Sequence, residues 1–184
     1  MDAITTALED IYGSGDARVQ EARDGISELL ARYEGSIPHA TGGWDQTDAF
    51  LITYGNSIVD QGETPLQVLR RVLRDQVAEA ISYVHVLPFC PYTSDDGFSV
   101  VDYRQIDGQL GNWRDIEDLA GERRLAADLV INHCSQESAY VRGYLADDPH
   151  FRDFCIAVDP DTDLSAVVRP RTSPLLHPFT KHDG

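Results

Sequence analysis

Residues 125–133 of the chain read L-A-A-D-L-V-I-N-H, an apolar run that ends in two polar side chains. The run Leu125–Ile131 predicts a buried strand, and near-continuous apolar strands are typical of parallel sheets covered by helices on both faces. Ligands gather at the carboxyl ends of such strands. The side chains of Asn132 and His133, which follow the strand, are therefore candidates for a binding site.

Two further strand and helix pairs precede this stretch. Residues 49–54 (A-F-L-I-T-Y) and 83–87 (Y-V-H-V-L) predict short strands. Between them, Thr64, Pro65 and Gln67 form a helix start, because threonine can cap, proline suits the first helical position and glutamine can complete a capping box. A second helix is predicted to begin after Asn112. Strand and helix alternation at this spacing predicts βαβ units around a parallel sheet.

The remaining residues suggest three segments. Residues 1–48 are predicted to form an N-terminal helical extension and linker, with two amphipathic helices followed by turn-forming residues. Residues 49–134 contain the three predicted strands. Residues 135–184 form the third segment, which begins with a predicted helix and continues as an irregular stretch rich in Pro and Asp.

The composition excludes several classes of function. The chain carries 31 acidic and 15 basic residues, a formal charge of −16, and its single lysine is Lys181. Such a chain repels nucleic acid and anionic membranes. We find neither a signal-peptide pattern nor an apolar run of ~20 residues. Three widely spaced cysteines form no disulfide or metal pattern. A soluble cytoplasmic protein is the resulting expectation.

Several motifs resemble one family. The pattern D-x-V-x-N-H at 128–133 resembles the first signature region of the α-amylase superfamily, glycoside hydrolase family 13. Further segments resemble its sucrose phosphorylase and glucosylglycerate phosphorylase branch, in matching order and spacing. They are L-I-T-Y-G (51–55), V-H-V-L-P-F (84–89), D-D-G-F-S-V-V-D-Y (95–103), L-G-N-W (110–113) and V-V-R-P-R (167–171).

The resemblance implies an α/β fold, the N-terminal portion of a (β/α)8 barrel with about three βα units and the start of the domain inserted after strand 3. A complete barrel needs roughly 250 residues, so we expect 184 residues to be a truncated piece. The implied activity is phosphorolysis of an α-glucoside to glucose 1-phosphate with retention of configuration. In this family the nucleophile Asp and the acid/base Glu follow strands four and five, so both are expected beyond Gly184 and none of the residues present is catalytic.

The resemblance also implies a donor-sugar site. Asp95 aligns with a carboxylate that holds two glucose hydroxyls, and Phe98 with an aromatic ring that lies against the sugar. His133 aligns with a histidine that bonds the 6-hydroxyl region, and Arg171 with an arginine that contacts phosphate or the acceptor. Neither a metal nor another cofactor is expected, since these relatives generally work without calcium and inorganic phosphate is a co-substrate. The expected partners are thus a small sugar and phosphate.

Other interpretations remain open at this stage. Considered alone, Asp95 belongs to an ordinary turn sequence, His133 could be a structural residue and Arg171 a solvated one. The chain could be an inactive truncated product, or a small α/β binding or scaffold protein that shares only strand patterns. The complete protein could instead be a hydrolase or transglycosidase of the same superfamily. The sequence leaves the acceptor sugar and the oligomeric state undetermined.

Overall fold

The computed structural model describes residues 3–36, 44–168 and 175–181. The chain divides into two compact units, Met1–Asp45 and Gln46–Gly184. The predicted boundary between residues 134 and 135 is not tested by this division and stays a prediction.

The first unit is a pair of helices, as its amphipathic pattern predicts. Helix α1 spans Ala3–Tyr12 and α2 spans Ala17–Tyr33. Asp16 caps α2 by accepting a hydrogen bond from the Arg18 backbone N–H at 2.9 Å. Leu8 and Val19 are the buried contact residues of the pair. No helix within the described ranges is long and apolar enough to span a bilayer.

The second unit is built on a three-stranded parallel sheet. Strand β1 is Phe50–Thr53, β2 is Tyr83–Val86 and β3 is Arg124–Ala127, in the order β1-β2-β3. The register pairs Phe50 with Tyr83 and Tyr83 with Arg124, so the strands start level with one another. Consecutive parallel neighbours joined through helices are the predicted βαβ units.

Two helices connect the strands, and their starts follow from the sequence. Helix α3 spans Pro65–Val72 and continues as a π-helical turn over Leu73–Val77, and α4 spans Trp113–Glu122. Asn112 caps α4 by accepting from the Arg114 backbone N–H at 2.9 Å. Gln67 accepts from the Thr64 backbone N–H and donates to the buried carboxylate of Asp115 at 2.9 Å. This last contact joins the first turns of α3 and α4.

The hydrophobic core lies between these helices and one face of the sheet. Val84 and Val86 of β2 are fully buried against it. Because side chains alternate along a strand, Leu51 and Leu125 point to the same side and pack against the same cluster. The other buried members come from the helices and loops: Leu66, Leu69, Leu73, Phe89, Ile106, Leu110, Ile116 and Leu119.

The third strand is shorter than predicted. The sequence predicts a buried strand through Ile131, but pairing ends at Ala127, and Leu129 and Ile131 are 82% and 80% exposed. The prediction was wrong for residues 128–131. Apolar character indicates burial only where another layer covers the strand, and the described residues place no such layer over Leu129 and Ile131. Val130, between them, is buried.

A final helix, α5, spans Ala139–Leu145 and begins at Ser138, whose hydroxyl accepts from the Val141 backbone N–H at 3.2 Å. Tyr140 on this helix stacks on Phe154, with ring centroids 4.7 Å apart, and meets Phe151 edge-on. Aromatic packing therefore holds the segment after β3 together. From residue 157 to 168 the chain is irregular, as predicted.

Candidate functional site

The candidate site lies at the carboxyl edge of the sheet. All three strands run in the same direction, so the loops after β1, β2 and β3 leave the sheet at one edge. These loops carry most of the sequence-predicted site residues. This is the edge at which parallel α/β proteins assemble their binding sites.

The loop after β2 folds back on itself as a small hairpin. Tyr92 and Val100 form an antiparallel bridge, and the Val101 backbone N–H donates to the Pro91 carbonyl at 2.7 Å. The Thr93 N–H donates to the Ser99 carbonyl at 3.1 Å. A tight turn over residues 94–98 thus connects the two arms of the hairpin, and it contains Asp95 and Phe98.

This turn has unusual backbone geometry. Asp95, Asp96 and Gly97 have φ values of 60°, 51° and 103°, so three consecutive residues lie in the left-handed region. The two aspartates occupy it at an energetic cost, on the order of 1–3 kcal/mol each, and such residues cluster at functional sites. Glycine is required next to them, because a Cβ on Gly97 would lie 3.0 Å from the Pro88 carbonyl oxygen. The end of β2 and the turn are therefore in close contact.

The loop after β3 is fastened to the hairpin by three hydrogen bonds. The hydroxyls of Thr93 and Ser135 are 2.7 Å apart, and the Ser135 N–H donates to the Val100 carbonyl at 2.8 Å. The Tyr103 hydroxyl donates to the His133 carbonyl at 3.2 Å. Ser135 is fully buried. These bonds fix the loop that carries His133 relative to the turn that carries Asp95.

The structure places the predicted site residues as follows. Asp95 and Phe98 share one turn and are both partly exposed, and His133 lies exposed on the adjacent loop. Arg171 lies outside the described residues. The structure thus brings three of the four residues to two joined loops at one edge of the sheet. Their roles in binding stay predictions.

A cleft of about 580 Å³ opens beside the turn, between the loops after β1 and β2. Its lining is mixed aromatic, amide and carboxylate, a composition that can pack against a sugar ring and accept bonds from hydroxyls. The polar and aromatic lining residues are Tyr54, Asn56, Tyr92, Asp96, Asp107 and Gln109. We did not predict these residues as site residues, although Tyr54 directly follows β1 and its position after a strand was the available signal.

Next to the hairpin, Asp102 is held strongly in its ionised form. The Arg104 guanidinium donates to its carboxylate at 3.0 Å, and the Arg104 backbone N–H donates at 2.9 Å. These bonds, with one from Gln105, lower the pKa of Asp102 to about 2. Burial, together with the charge of Asp102, raises the pKa of the Cys90 thiol. Cys90 is therefore a packing residue at neutral pH and not a reactive thiolate.

The donor set at this edge suits a neutral polyhydroxy ligand. Carboxylates accept hydrogen bonds from pairs of hydroxyls, and aromatic side chains cover apolar ring faces. Within the described ranges, no group of three or more His, Cys, Asp and Glu side chains is close enough to share a metal ion.

Comparison with known proteins gives one family. The family model for the α-amylase catalytic domain matches residues 80–175. A glucosylglycerate phosphorylase of Allomeiothermus silvanus is 53% identical over 143 residues, which are 78% of this chain and 26% of that protein. One from Spirochaeta thermophila is 42% identical over 191 residues, which cover 100% of this chain and 32% of that protein. The chain therefore spans about a third or less of these relatives.

Solved structures show the same similarity. The crystal structure of sucrose 6F-phosphate phosphorylase from Thermoanaerobacter thermosaccharolyticum aligns with 60% of this chain, at a TM-score of 0.51 and 31% identity. The alignment takes in 22% of that structure. The three-stranded sheet with its connecting helices thus corresponds to part of a larger catalytic domain.

Proposed function

Because the chain belongs to the α-amylase family, we propose that it forms part of a retaining phosphorylase that cleaves an α-glucoside with inorganic phosphate. The family also confirms the predicted fold, since β1, α3, β2, α4 and β3 are the N-terminal portion of a (β/α)8 barrel. The single observation that carries the proposal is the identity of 53% and 42% to two glucosylglycerate phosphorylases.

The proposed donor is glucosylglycerate or a closely related α-glucoside. The identity to glucosylglycerate phosphorylases exceeds the 31% to sucrose 6F-phosphate phosphorylase. The Spirochaeta thermophila relative also matches across the whole chain, including the N-terminal helical pair. Both facts favour glycerate over fructose 6-phosphate as the leaving group.

The proposed reaction proceeds in two displacements at the anomeric carbon. A carboxylate nucleophile attacks that carbon while a carboxylic acid gives its proton to the departing glycerate oxygen, so the glycosidic bond breaks and a glycosyl ester forms. A phosphate oxygen then attacks the same carbon, loses its proton to the same acid/base group and releases the ester. Two inversions give α-glucose 1-phosphate. Our proposal assigns the nucleophile and the acid/base to residues outside positions 1–184.

The residues of this chain would bind and orient the donor sugar. We assign Asp95 to two glucose hydroxyls, because one carboxylate can accept hydrogen bonds from both. We assign Phe98 to the apolar sugar face and His133 to the 6-hydroxyl region. Arg171 would contact phosphate or the glycerate carboxylate, for which a planar guanidinium is suited. The turn at residues 94–98 supports this assignment, because its hydrogen bonds and its close approach to Pro88 already hold Asp95 and Phe98 together, and a preformed site loses little entropy on binding.

No cofactor enters the proposed reaction, and phosphate is consumed as a co-substrate. We also propose a cytoplasmic location. Cys90, Cys134 and Cys155 are all unpaired thiols, which a reducing compartment maintains. The charge of −16 supports solubility and disfavours anionic macromolecules as partners.

A phosphate-dependence assay tests the proposal. The native protein that contains residues 1–184 is incubated with glucosylglycerate, glucosylglycerol, sucrose or sucrose 6-phosphate, with and without inorganic phosphate. We expect glucose 1-phosphate from glucosylglycerate only when phosphate is present, and the highest kcat/KM with that donor. Release of free glucose at equal rates without phosphate would instead support a hydrolase of the same family.

A further inference from the structure

A polar pair on the sheet has no assigned role. His85 lies in β2, and Asp128 directly follows β3. The His85 Nε2 atom is 2.9 Å from the Asp128 Oδ2 atom, and the side chains are 24% and 23% exposed. The distance and the two ring nitrogens of histidine allow Nε2–H to donate to the carboxylate.

The pair lies on the face of the sheet that is turned away from α3 and α4. Val84 and Val86 point into the core, so His85 between them points to the opposite side. In the register His85 aligns with Ile52 and Ala126. Asp128 is two residues beyond Ala126 and projects from the same face, as a diagonal neighbour of His85. In a closed barrel this face is the interior.

The position of the pair along the strands is its most informative property. The backbone pairing of β2 with β3 ends at Val86 and Ala127. Asp128 is the first residue after that end, so the His85–Asp128 bond continues the cross-strand connection where the backbone ladder stops. Among the described residues, the chain segments that follow the two strands meet again farther on, through the Thr93–Ser135 and Ser135–Val100 hydrogen bonds.

Both strands lead directly into the residues assigned to the donor sugar. After His85, β2 reaches Pro88, whose carbonyl oxygen closely approaches Gly97 in the strained turn beside Asp95. After Asp128, the chain reaches His133 within five residues. A shift of one strand end along the other would therefore change the distance between Asp95 and His133.

We propose that His85 and Asp128 are positioning residues, which lock the ends of β2 and β3 so that Asp95 and His133 face one donor sugar. The inference rests on the proposed function for the identity of the ligand. Neither side chain is assigned a contact with substrate. Their effect is geometric, and an error of ~1 Å in the placement of a binding group costs on the order of 100-fold in rate.

A double-mutant cycle tests the pair. The variants are His85→Phe, which keeps a ring without the donor, Asp128→Ala, and the combination of both. His85→Gln retains an amide donor within similar reach and is the conservative variant. Tyr83→Phe is the matched control. It removes another side-chain bond between β2 and β3 on the same face, from Arg124 to the Tyr83 hydroxyl at 2.7 Å, but at the opposite end of the strands.

We expect His85→Phe and Asp128→Ala each to lower kcat/KM for the glucoside about 10–100-fold, with KM for phosphate changed less than about twofold. The double variant should lie within about threefold of the worse single variant, because both remove the same connection. His85→Gln should recover most of the rate, and Tyr83→Phe should stay near the wild type. The proposal would be overturned if the loss of kcat/KM in the double variant equalled the product of the two single losses. It would also be overturned if Tyr83→Phe lowered kcat/KM as much as His85→Phe does.

Amide hydrogen exchange separates this inference from the proposed function. In His85→Phe and Asp128→Ala, exchange should speed up at residues 95–98 and 132–135 and stay unchanged in β1. Unchanged exchange at both loops would refute the positioning role, whatever the enzyme does. If the wild-type protein cleaved no glucoside with phosphate, the proposed function would be refuted. Faster exchange at the two loops in the variants would still support the positioning role of His85 and Asp128.

Discussion

The two faces of the parallel sheet differ sharply in composition and in burial. The face toward α3 and α4 is aliphatic except for Thr53 of β1, and its central residues Val84 and Val86 are fully buried. The opposite face carries Phe50 and Ile52, which are 50% and 62% exposed. It also carries the His85–Asp128 pair.

Within one small sheet, the helix-facing side therefore contributes mainly to stability, and the opposite side carries the polar groups to which we assign a functional role. The aliphatic face can be varied in detail as long as its volume is kept, because packing alone decides it. The opposite face mixes apolar and ionisable groups, and each polar group there needs its own partner. The predictions below change one face, or the loops above it, and compare the outcome with a matched residue elsewhere.

The largest effect is expected at the carboxyl edge. Asp95→Ala and His133→Ala should each lower kcat/KM of the native enzyme about 1000-fold, equivalent to about 4 kcal/mol of transition-state binding. Thermal unfolding should be nearly unchanged in His133→Ala, since that side chain is exposed. Asp95→Ala should also lose some stability, because alanine tolerates the φ of 60° at this position less well than aspartate does. Glu137→Ala, an exposed carboxylate on the loop after β3 that does not line the cleft, is the control and should cost less than about twofold. Near-normal rates in both main variants would refute the site assignment.

On the helix-facing side, Leu69→Ala should lower the free energy of unfolding by about 2–5 kcal/mol, because it leaves a cavity in the core. Ile52→Ala on the other face should cost the 184-residue polypeptide less than about 1 kcal/mol. Urea denaturation measures both. In a longer protein with a closed barrel, Ile52→Ala should approach the cost of Leu69→Ala, and failure to do so would contradict the interior placement of that face.

Two glycine-to-alanine substitutions, one in the strained turn and one in α2, test the geometry of the turn. Gly97→Ala should lower the free energy of unfolding by about 1–3 kcal/mol, because its φ of 103° and the nearby Pro88 oxygen leave no space for a methyl group. Gly25→Ala, in the exposed middle of α2, should raise it by about 0.4–1 kcal/mol. Differential scanning calorimetry gives both signs. A tolerated alanine at position 97 would mean that the turn is not rigid.

The smallest effect concerns pH. The pKa of Asp102 is lowered to about 2, so its hydrogen bonds stabilise the fold above the ordinary carboxyl pKa of about 4 and are lost as pH falls toward 2. Asp102→Asn should cost about 1 kcal/mol at pH 7 and clearly less at pH 2, where about half of the folded-state carboxyl groups are protonated. Urea unfolding at both pH values checks this. A cost that is equal at both would rule out the ionised carboxylate as the cause.

Much of the fold followed from the sequence because its signals were local. Thr64, Pro65 and Gln67 marked the start of α3, and Asn112 marked that of α4, through short-range bonds with their own helices. Alternating apolar runs placed β1 and β2. The extent of β3 could not be read in the same way, since the apolar pattern of Leu129 and Ile131 reports which residues can be buried and not where pairing stops.

The candidate site was only partly predictable from the sequence. Asp95, Phe98 and His133 were found through motif resemblance, and the structure places them on two joined loops. The left-handed backbone of Asp96 and the cleft residues Tyr92 and Asp107 were not anticipated. They arise from loops that meet only in three dimensions, so no spacing in the sequence reports them. The His85–Asp128 bond spans 43 residues and was missed for the same reason.

The most direct test of the central claim is the anomeric configuration of the product. Proton NMR follows the native enzyme with glucosylglycerate and phosphate from the first turnovers, so that any free glucose is also detected before it mutarotates. We predict that the α anomer of glucose 1-phosphate accumulates at the rate at which glucosylglycerate disappears, and that the reaction stops when phosphate is withheld. A β product, or free glucose formed equally well without phosphate, would contradict a retaining phosphorylase.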